Sequence, residues 1–203
     1  MDILESVGGY IEDSHIVGTS GKHLSEYLNK DALYPHPELA SKVCKMLAEN
    51  VKDLEIDAVV GPALGGIILS QWTAYHLSQI KRQEILSVYT EKTADGGQEL
   101  RRGYDKLIQG KKVLVVEDTT TTGGSVKKVV DAARQVGAEV VAVEIMVNRS
   151  PKEVTAEYFG APLYALASQN FPAYDEADCP MCKAKVPINT TVGHGKKYLE
   201  GKM

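Results

Sequence analysis

Short apolar runs alternate along this chain with stretches whose apolar residues recur every three or four positions. Ala58-Val-Val60, Ile85-Leu-Ser-Val-Tyr89, Val113-Leu-Val-Val116, residues 139–147 and about 162–167 read as strands. Between them, Pro37 opens a helix to about Asn50, with Leu39, Val43, Met46 and Leu47 on one stripe. A second helix runs from Gly66 to about Gln79, and a third covers 126–134 until Gly137 stops it. Strands alternating with helices predict an α/β fold, a mostly parallel sheet in three layers. Residues 2–12 read as a short amphipathic helix, and His15–His23 as a turn-rich polar stretch. Residues 91–103 are charged and glycine-bearing, and read as a long mobile loop or an irregular hairpin. The tail from Gln169 onward has mixed polarity and reads as a small cap. The expected organisation is one domain over 1–203, with 1–35 and about 169–203 as hood or cap segments.

Composition narrows the class. The chain has 203 residues, 43% hydrophobic and 25% charged, with a net charge of −4. That suits a globular domain and argues against a nucleic-acid partner, which needs a basic surface. No apolar run approaches the roughly 20 residues of a membrane helix. Met1–Glu5 is acidic and carries no signal-peptide core, so a cytoplasmic protein is expected. Three cysteines are too few for a disulfide scaffold.

The chemistry concentrates in Val113-Leu-Val-Val-Glu-Asp-Thr-Thr-Thr-Thr-Gly-Gly-Ser125. A strand, a loop of small residues and a helix N-terminus make an anion site, because free backbone N–H groups and the helix dipole face the ligand. Glu117 and Asp118 would repel a bare phosphate. They suit a ligand that also carries hydroxyls, or a metal bridging to its phosphates. A phosphorylated sugar with Mg²⁺ meets both demands. The run is neither a Walker A sequence nor a dinucleotide fingerprint. Gly61-Pro-Ala-Leu-Gly-Gly66 is a second anion loop between a strand and a helix. Two such loops in one sheet suit a ligand with phosphate at both ends.

The Val113–Ser125 stretch resembles the PRPP-binding motif of type I phosphoribosyltransferases. Thr19-Ser-Gly-Lys-His23 with Tyr27 and Lys30, Gly61–Gly66, Arg101-Arg-Gly-Tyr104, Asn148-Arg149 and Cys179-Pro-Met-Cys182 resemble the orotate branch of that family. The resemblance spans residues 14–187 in the family's order. It implies the three-layer parallel-sheet fold of that family with a small hood. It implies a transferase taking PRPP and orotate, with Mg²⁺ carried by PRPP near Glu117 and Asp118, in a cytoplasmic homodimer. A purine enzyme and a non-catalytic PRPP sensor are the alternatives.

Roles follow from the resemblance position by position. Glu117 and Asp118 meet the ribose hydroxyls, both reaching one ligand only if the strand ends there. Thr119, Thr120, Thr121, Thr122, Gly123, Gly124 and Ser125 bind PRPP, the last five cradling the 5′-phosphate. Pro62, Ala63, Gly65 and Gly66 take the pyrophosphate. Residues 91–103 form the lid, and Lys92, Arg101 and Arg102 are its cations, catalytic together with Asp118. Better-known orotate enzymes carry Arg-Lys-Glu and a histidine in the lid; here Tyr89-Thr-Glu-Lys92 stands instead. Ser20, Gly21, Lys22, His23 and Thr121 contact the base, and Arg149 pairs with its carboxylate.

Cys179-Pro-Met-Cys182 is half of a zinc knuckle, and tetrahedral zinc needs four ligands. His194 and Cys44 are the other obvious soft side chains. A loop of reduced thiols is the favoured reading, and a zinc site, shared between subunits in one version, is the alternative. His76 falls within a helix and reads as structural.

Overall fold

The computed structural model describes residues 1–18 and 20–201. Thr19, which opens one of the family-like segments, lies outside them. The chain forms two compact units: Met1–Pro35 with Asn170–Met203, and His36–Gln169.

The smaller unit begins with α1 (Asp2–Ser6), β1 (Tyr10–Ile11), β2 (Ile16–Val17), β3 (His23–Leu24) and β4 (Tyr27–Leu28). The helix expected over 2–12 ends early. The Gly9 N–H turns back to the Leu4 carbonyl, and β1 pairs antiparallel with β4.

The larger unit holds α2 (Pro37–Asn50), β5 (Ala58–Pro62), α3 (Gly65–Lys81), β6 (Leu86–Lys92), β7 (Gln98–Glu99), α4 (Tyr104–Ile108), β8 (Lys112–Thr120), α5 (Gly124–Gln135), β9 (Glu139–Asn148), α6 (Ala156–Phe159) and β10 (Leu163–Ser168). Pro37 at the start of α2 lacks only an N–H that would go unpaired there anyway. Its buried stripe is Ala40, Val43, Cys44, Leu47 and Ala48, while Met46 points outward.

One sheet of strand order β10-β9-β8-β5-β6-β7 forms the middle layer. All neighbours in it are parallel except β6 and β7. Helices α2 and α3 pack together, α3 lying on β5, β6 and β8, while α5 lies on β8, β5 and β9. On β8, Val113 and Val115 join the cluster that includes Val126, Val129, Val130 and Ala133 of α5. Leu114 and Val116, equally buried, take the opposite face.

The smaller unit closes with β11 (Ala173–Tyr174), α7 (Pro180–Lys183) and α8 (Gly195–Leu199). Strand β3 is central in the antiparallel order β11-β3-β2. No helix among the described residues is long and apolar enough to cross a membrane.

Candidate functional site

The sheet of the larger unit changes direction at β5. The chain steps from β5 outward to β6, returns to β8 on the other side, and continues to β9 and β10. Ligands of doubly wound sheets bind beyond the carboxyl ends of the two strands flanking such a reversal. Here those strands separate. Their ladder runs Ala58↔Val113, Val59↔Leu114, Val60↔Val115 and then stops. Strand β8 goes on pairing with β9 as far as Thr120↔Asn148, and β5 with β6 as far as Pro62↔Thr90. The crevice between the diverging ends carries both glycine-bearing loops on its rims.

Strand β8 does not end at the carboxylates; it runs on to Thr120, against β9 alone. Glu117 therefore shares the parity of Val113 and Val115, and Asp118 that of Leu114 and Val116. Both are buried, at 8% and 4% exposure. The Asp118 N–H donates to Glu117 Oε1 at 3.0 Å, and the Thr119 N–H to Asp118 Oδ1 at 2.6 Å. The Gly123 N–H donates to Thr120 Oγ1 at 2.9 Å, folding the loop back over its strand. Gly123 caps α5 at φ 74°, a conformation that favours glycine. Thr121, Thr122 and Ser125 are exposed around the N-terminus of α5, and Gly124 is half-buried.

The loop after β5 is tighter. A Cβ on Gly61 would lie 2.1 Å from the Gly66 carbonyl oxygen, and one on Gly66 2.5 Å from Pro62 Cδ. Only glycine permits this approach. The Ala63–Leu64 peptide bond is cis. The Ala63 N–H donates to the Thr90 carbonyl at 2.9 Å, joining the loop to β6. Pro62 and Gly66 are buried, and Ala63 and Gly65 partly so.

Residues 91–103 form a hairpin, with Glu91↔Glu99 and Lys92↔Gln98 in register. Lys128 of α5 donates to the Gly96 carbonyl at 2.6 Å and holds the tip. Two of the three candidate cations are paired within the hairpin and its stem. Arg101 Nε donates to Glu99 at 2.9 Å, and Arg102 Nε to Glu91 at 2.8 Å. The bond to Glu91 raises the Arg102 pKa further. Arg102 also lies over the Tyr89 ring, which meets Tyr104 edge-on. Burial, then Tyr89, raise the Tyr104 pKa. Lys92 is exposed and makes no ion pair among the described residues.

Arg149 follows β9, and its backbone N–H donates to the Thr120 carbonyl at 2.9 Å. That places it beside the end of β8. Asn148, the last residue of β9, is buried. Its amide donates to the Val154 carbonyl and its oxygen accepts the Ser150 N–H. It shapes the turn that carries Arg149.

Ser20, Gly21, Lys22 and His23 belong to the smaller unit. Ser20 is exposed, and Lys22 pairs with Asp175 at 3.2 Å. His23, expected against the base, lies on β3. It is fully buried and faces His15 and the Cys182 sulfur. The soft partners of Cys179 and Cys182 differ from expectation. They are His15 and His23, and His194 is outside the group. Cys44 is buried in α2 of the larger unit, where burial foremost and then Glu144 push its thiol up to about 12. His15 stands 164 residues from Cys179, so no sequence spacing links them. His76 is in α3, and its Nε2 lies 2.9 Å from Ser41 Oγ.

A surface cavity of about 570 Å³ opens at the other end of the sheet, lined by Asp57, Lys81, Lys112 and Glu139 among others. Its charges pair locally, Lys112 with Glu55. It holds none of the loop residues and lies beyond the amino ends of β5, β8 and β9.

A doubly wound sheet whose reversal is flanked by two glycine-bearing loops, one following an acidic pair and carrying Thr-Thr-Gly-Gly-Ser, is the arrangement of a phosphoribosyl transferase fold. The phosphoribosyl transferase domain family matches residues 29–158, and the chain belongs to that family. Within it, the similarity is to orotate phosphoribosyltransferases. The one from Thermotoga maritima is 39% identical over 97% of this chain and 98% of its own. That of Caldicellulosiruptor saccharolyticus is 40% identical over 87% of this chain and 86% of its own. The crystal structure of the Mycobacterium tuberculosis H37Rv orotate phosphoribosyltransferase superposes with a TM-score of 0.66. It is 24% identical over 82% of this chain and 94% of its own, a likeness of fold.

Proposed function

We propose that this phosphoribosyltransferase transfers the 5-phosphoribosyl group of PRPP to N1 of orotate, giving orotidine 5′-monophosphate and pyrophosphate. The observation that carries the reading is the divergence of β5 and β8 beyond Val60 and Val115, with an anion loop on each rim. A ligand with phosphate at one end and pyrophosphate at the other spans such a crevice. Thr121, Thr122, Gly123, Gly124 and Ser125 hold the 5′-phosphate at the α5 N-terminus. Pro62, Ala63, Gly65 and Gly66 hold the pyrophosphate. Glu117 and Asp118 accept from the ribose hydroxyls and fix C1 for in-line attack.

As the bond from C1 to pyrophosphate breaks and the bond to N1 forms, negative charge gathers on the leaving oxygens. Lys92, carried by the hairpin, meets that charge and helps exclude water. Arg149 orients orotate through its carboxylate, for which a planar guanidinium fork is suited. Two buried carboxylates beside anion-seeking N–H groups fit a metal-chelated sugar phosphate. Mg²⁺ bound with PRPP supplies the positive charge that reconciles Glu117 and Asp118 with the phosphates. The enzyme works in pyrimidine nucleotide synthesis, in the cytoplasm and as a homodimer.

The test is a base panel. With PRPP and Mg²⁺, orotate absorbance should fall as pyrophosphate appears in equal amount, while adenine, hypoxanthine, guanine and uracil give no turnover. Turnover with a purine and none with orotate would transfer the assignment to purine salvage. PRPP binding without turnover on any base would make the chain a sensor.

A further inference from the structure

We propose that His15, His23, Cys179 and Cys182 form a structural zinc site that staples the two chain segments of the smaller unit together. One ligand atom from each of the four lies within 4.8 Å of every other. Cys182 Sγ is 3.5 Å from His15 Nε2 and 3.3 Å from His23 Nδ1, and Cys179 Sγ is 3.7 Å from His15 Nε2. With Zn–S near 2.3 Å and Zn–N near 2.05 Å, tetrahedral geometry requires S···N separations of about 3.6 Å. The sulfur–nitrogen distances match. The two ring nitrogens, 2.7 Å apart, would part by about 0.6 Å around the ion.

The surrounding bonds favour the metal-binding form of His15. His15 Nδ1 lies 2.7 Å from the Val186 carbonyl, which can only accept. Nδ1 therefore carries the proton, and Nε2 presents its lone pair to the cluster. A carbonyl that fixes a ligand's tautomer is the usual partner of a metal-bound histidine. Cys179 Sγ accepts the Cys182 N–H at 3.4 Å, which folds the two cysteines into one turn. Three of the four residues are buried and Cys182 is partly buried. Two thiolates and two imidazoles at one point suit zinc and reject hard cations such as Mg²⁺.

The fold gives the ion a task. Among the described residues, every strand of the smaller unit is two residues long. Its buried apolar side chains include Leu4, Tyr10, Ile16, Val17, Leu33 and Phe171, a thin core for two segments that meet from opposite ends of the chain. Units of this size are commonly held by a metal or disulfides. Zinc would close the link between residue 15 and residue 179. Because His23 directly follows Ser20-Gly21-Lys22, the ion also anchors one end of that loop. This last consequence rests on the base-contact reading above.

The test reads metal content first and stability second. Full-length protein, produced with zinc, kept reduced and dialysed against metal-free buffer, should retain one zinc per chain by mass spectrometry. The Cys179→Ser/Cys182→Ser double variant should retain none. Replacing zinc by cobalt should give the intense visible bands of a tetrahedral site and a thiolate charge-transfer band in the near ultraviolet. Stripping zinc from wild type should lower the melting temperature, and adding it back should restore it, so the proposal stands even if the variant fails to fold. Wild type without zinc, cobalt spectra without the thiolate band, or a Cys179–Cys182 disulfide in freshly reduced and purified protein would each overturn it. None of these readouts depends on which base the enzyme uses.

Discussion

Val115 is the last residue of β8 to pair with β5, opposite Val60, although β8 itself continues for five more residues along β9. That one-sided ending creates the crevice. On the proposed reading, it also accounts for how the adjacent Glu117 and Asp118 would serve one ligand. A strand in the middle of a sheet would bury them on opposite faces against other strands and helices. A strand freed on its β5 side leaves both at an edge that β5 no longer pairs.

Asp118→Asn keeps the shape of the side chain and removes its charge. If Asp118 binds the ribose in the transition state, kcat/KM should fall about tenfold or more, which corresponds to at least about 1.4 kcal/mol. Steady-state kinetics with PRPP as the varied substrate read this. Kinetics equal to wild type would remove Asp118 from the site.

Much of this was legible beforehand. The alternation of apolar runs and amphipathic stretches specified the sheet and its helices, because each burial face leaves a period in the residues. The Glu117–Ser125 run was readable because strand, turn and helix start lie within one segment. What escaped depended on partners distant in sequence. The continuation of β8 to Thr120 is dictated by β9, and the early end of α1 by β4. The grouping of His23 with His15, Cys179 and Cys182 left no trace in the sequence because these residues are gathered only by folding.

Among the hairpin cations, Lys92 should matter most for the chemical step. Arg101 and Arg102 are already neutralised by Glu99 and Glu91. Lys92→Ala should lower kcat at least about tenfold while leaving the KM for orotate within about twofold, since the charge it meets develops after binding. Arg102→Ala should do less. A larger loss of kcat in Arg102→Ala than in Lys92→Ala would reverse the assignment.

Arg149→Ala should raise the KM for orotate and spare PRPP binding. In the proposed reading the side chain pairs with the base, while the backbone bond from Arg149 to the Thr120 carbonyl survives the substitution. Loss of a charge-assisted pair costs about 1.5–3 kcal/mol, or roughly 10- to 150-fold in orotate affinity. Calorimetry with each ligand separates the two effects, and equal weakening of both would point to a misfolded β9 turn.

Gly61→Ala tests the pyrophosphate loop through its backbone. The new methyl would fall 2.1 Å from the Gly66 carbonyl oxygen, so the loop has to open. Because both atoms of the clash belong to one tight turn, the damage should concentrate there. PRPP affinity should drop at least about tenfold, and overpacking should remove about 1–3 kcal/mol of stability. Wild-type PRPP affinity in Gly61→Ala would show that the close approach of Gly61 and Gly66 plays no part in binding.

Glu144 gives the larger unit a pH dependence of its own. It is fully buried on β9; Asn50 donates to Oε1 at 3.1 Å, and Oε2 has no hydrogen-bond partner among the described residues. Burial pushes its pKa up to about 8 from an ordinary 4.5, and the Asn50 bond offsets only part of that. Below the ordinary value both folded and unfolded chains hold the proton, and burial of the neutral acid carries no charge penalty. As pH rises through the window between the two values, the unfolded chain releases its proton while the folded one keeps it. Stability should therefore decline across that window, at up to about 1.4 kcal/mol per pH unit, and level off above it. Glu144→Gln removes the titration, so its denaturation midpoint should vary less between pH 5 and pH 8 (about the span of the window) and exceed that of wild type at the upper end. If wild type and Glu144→Gln show parallel pH profiles in chemical denaturation, Glu144 is ionised in the folded protein and burial does not govern its proton.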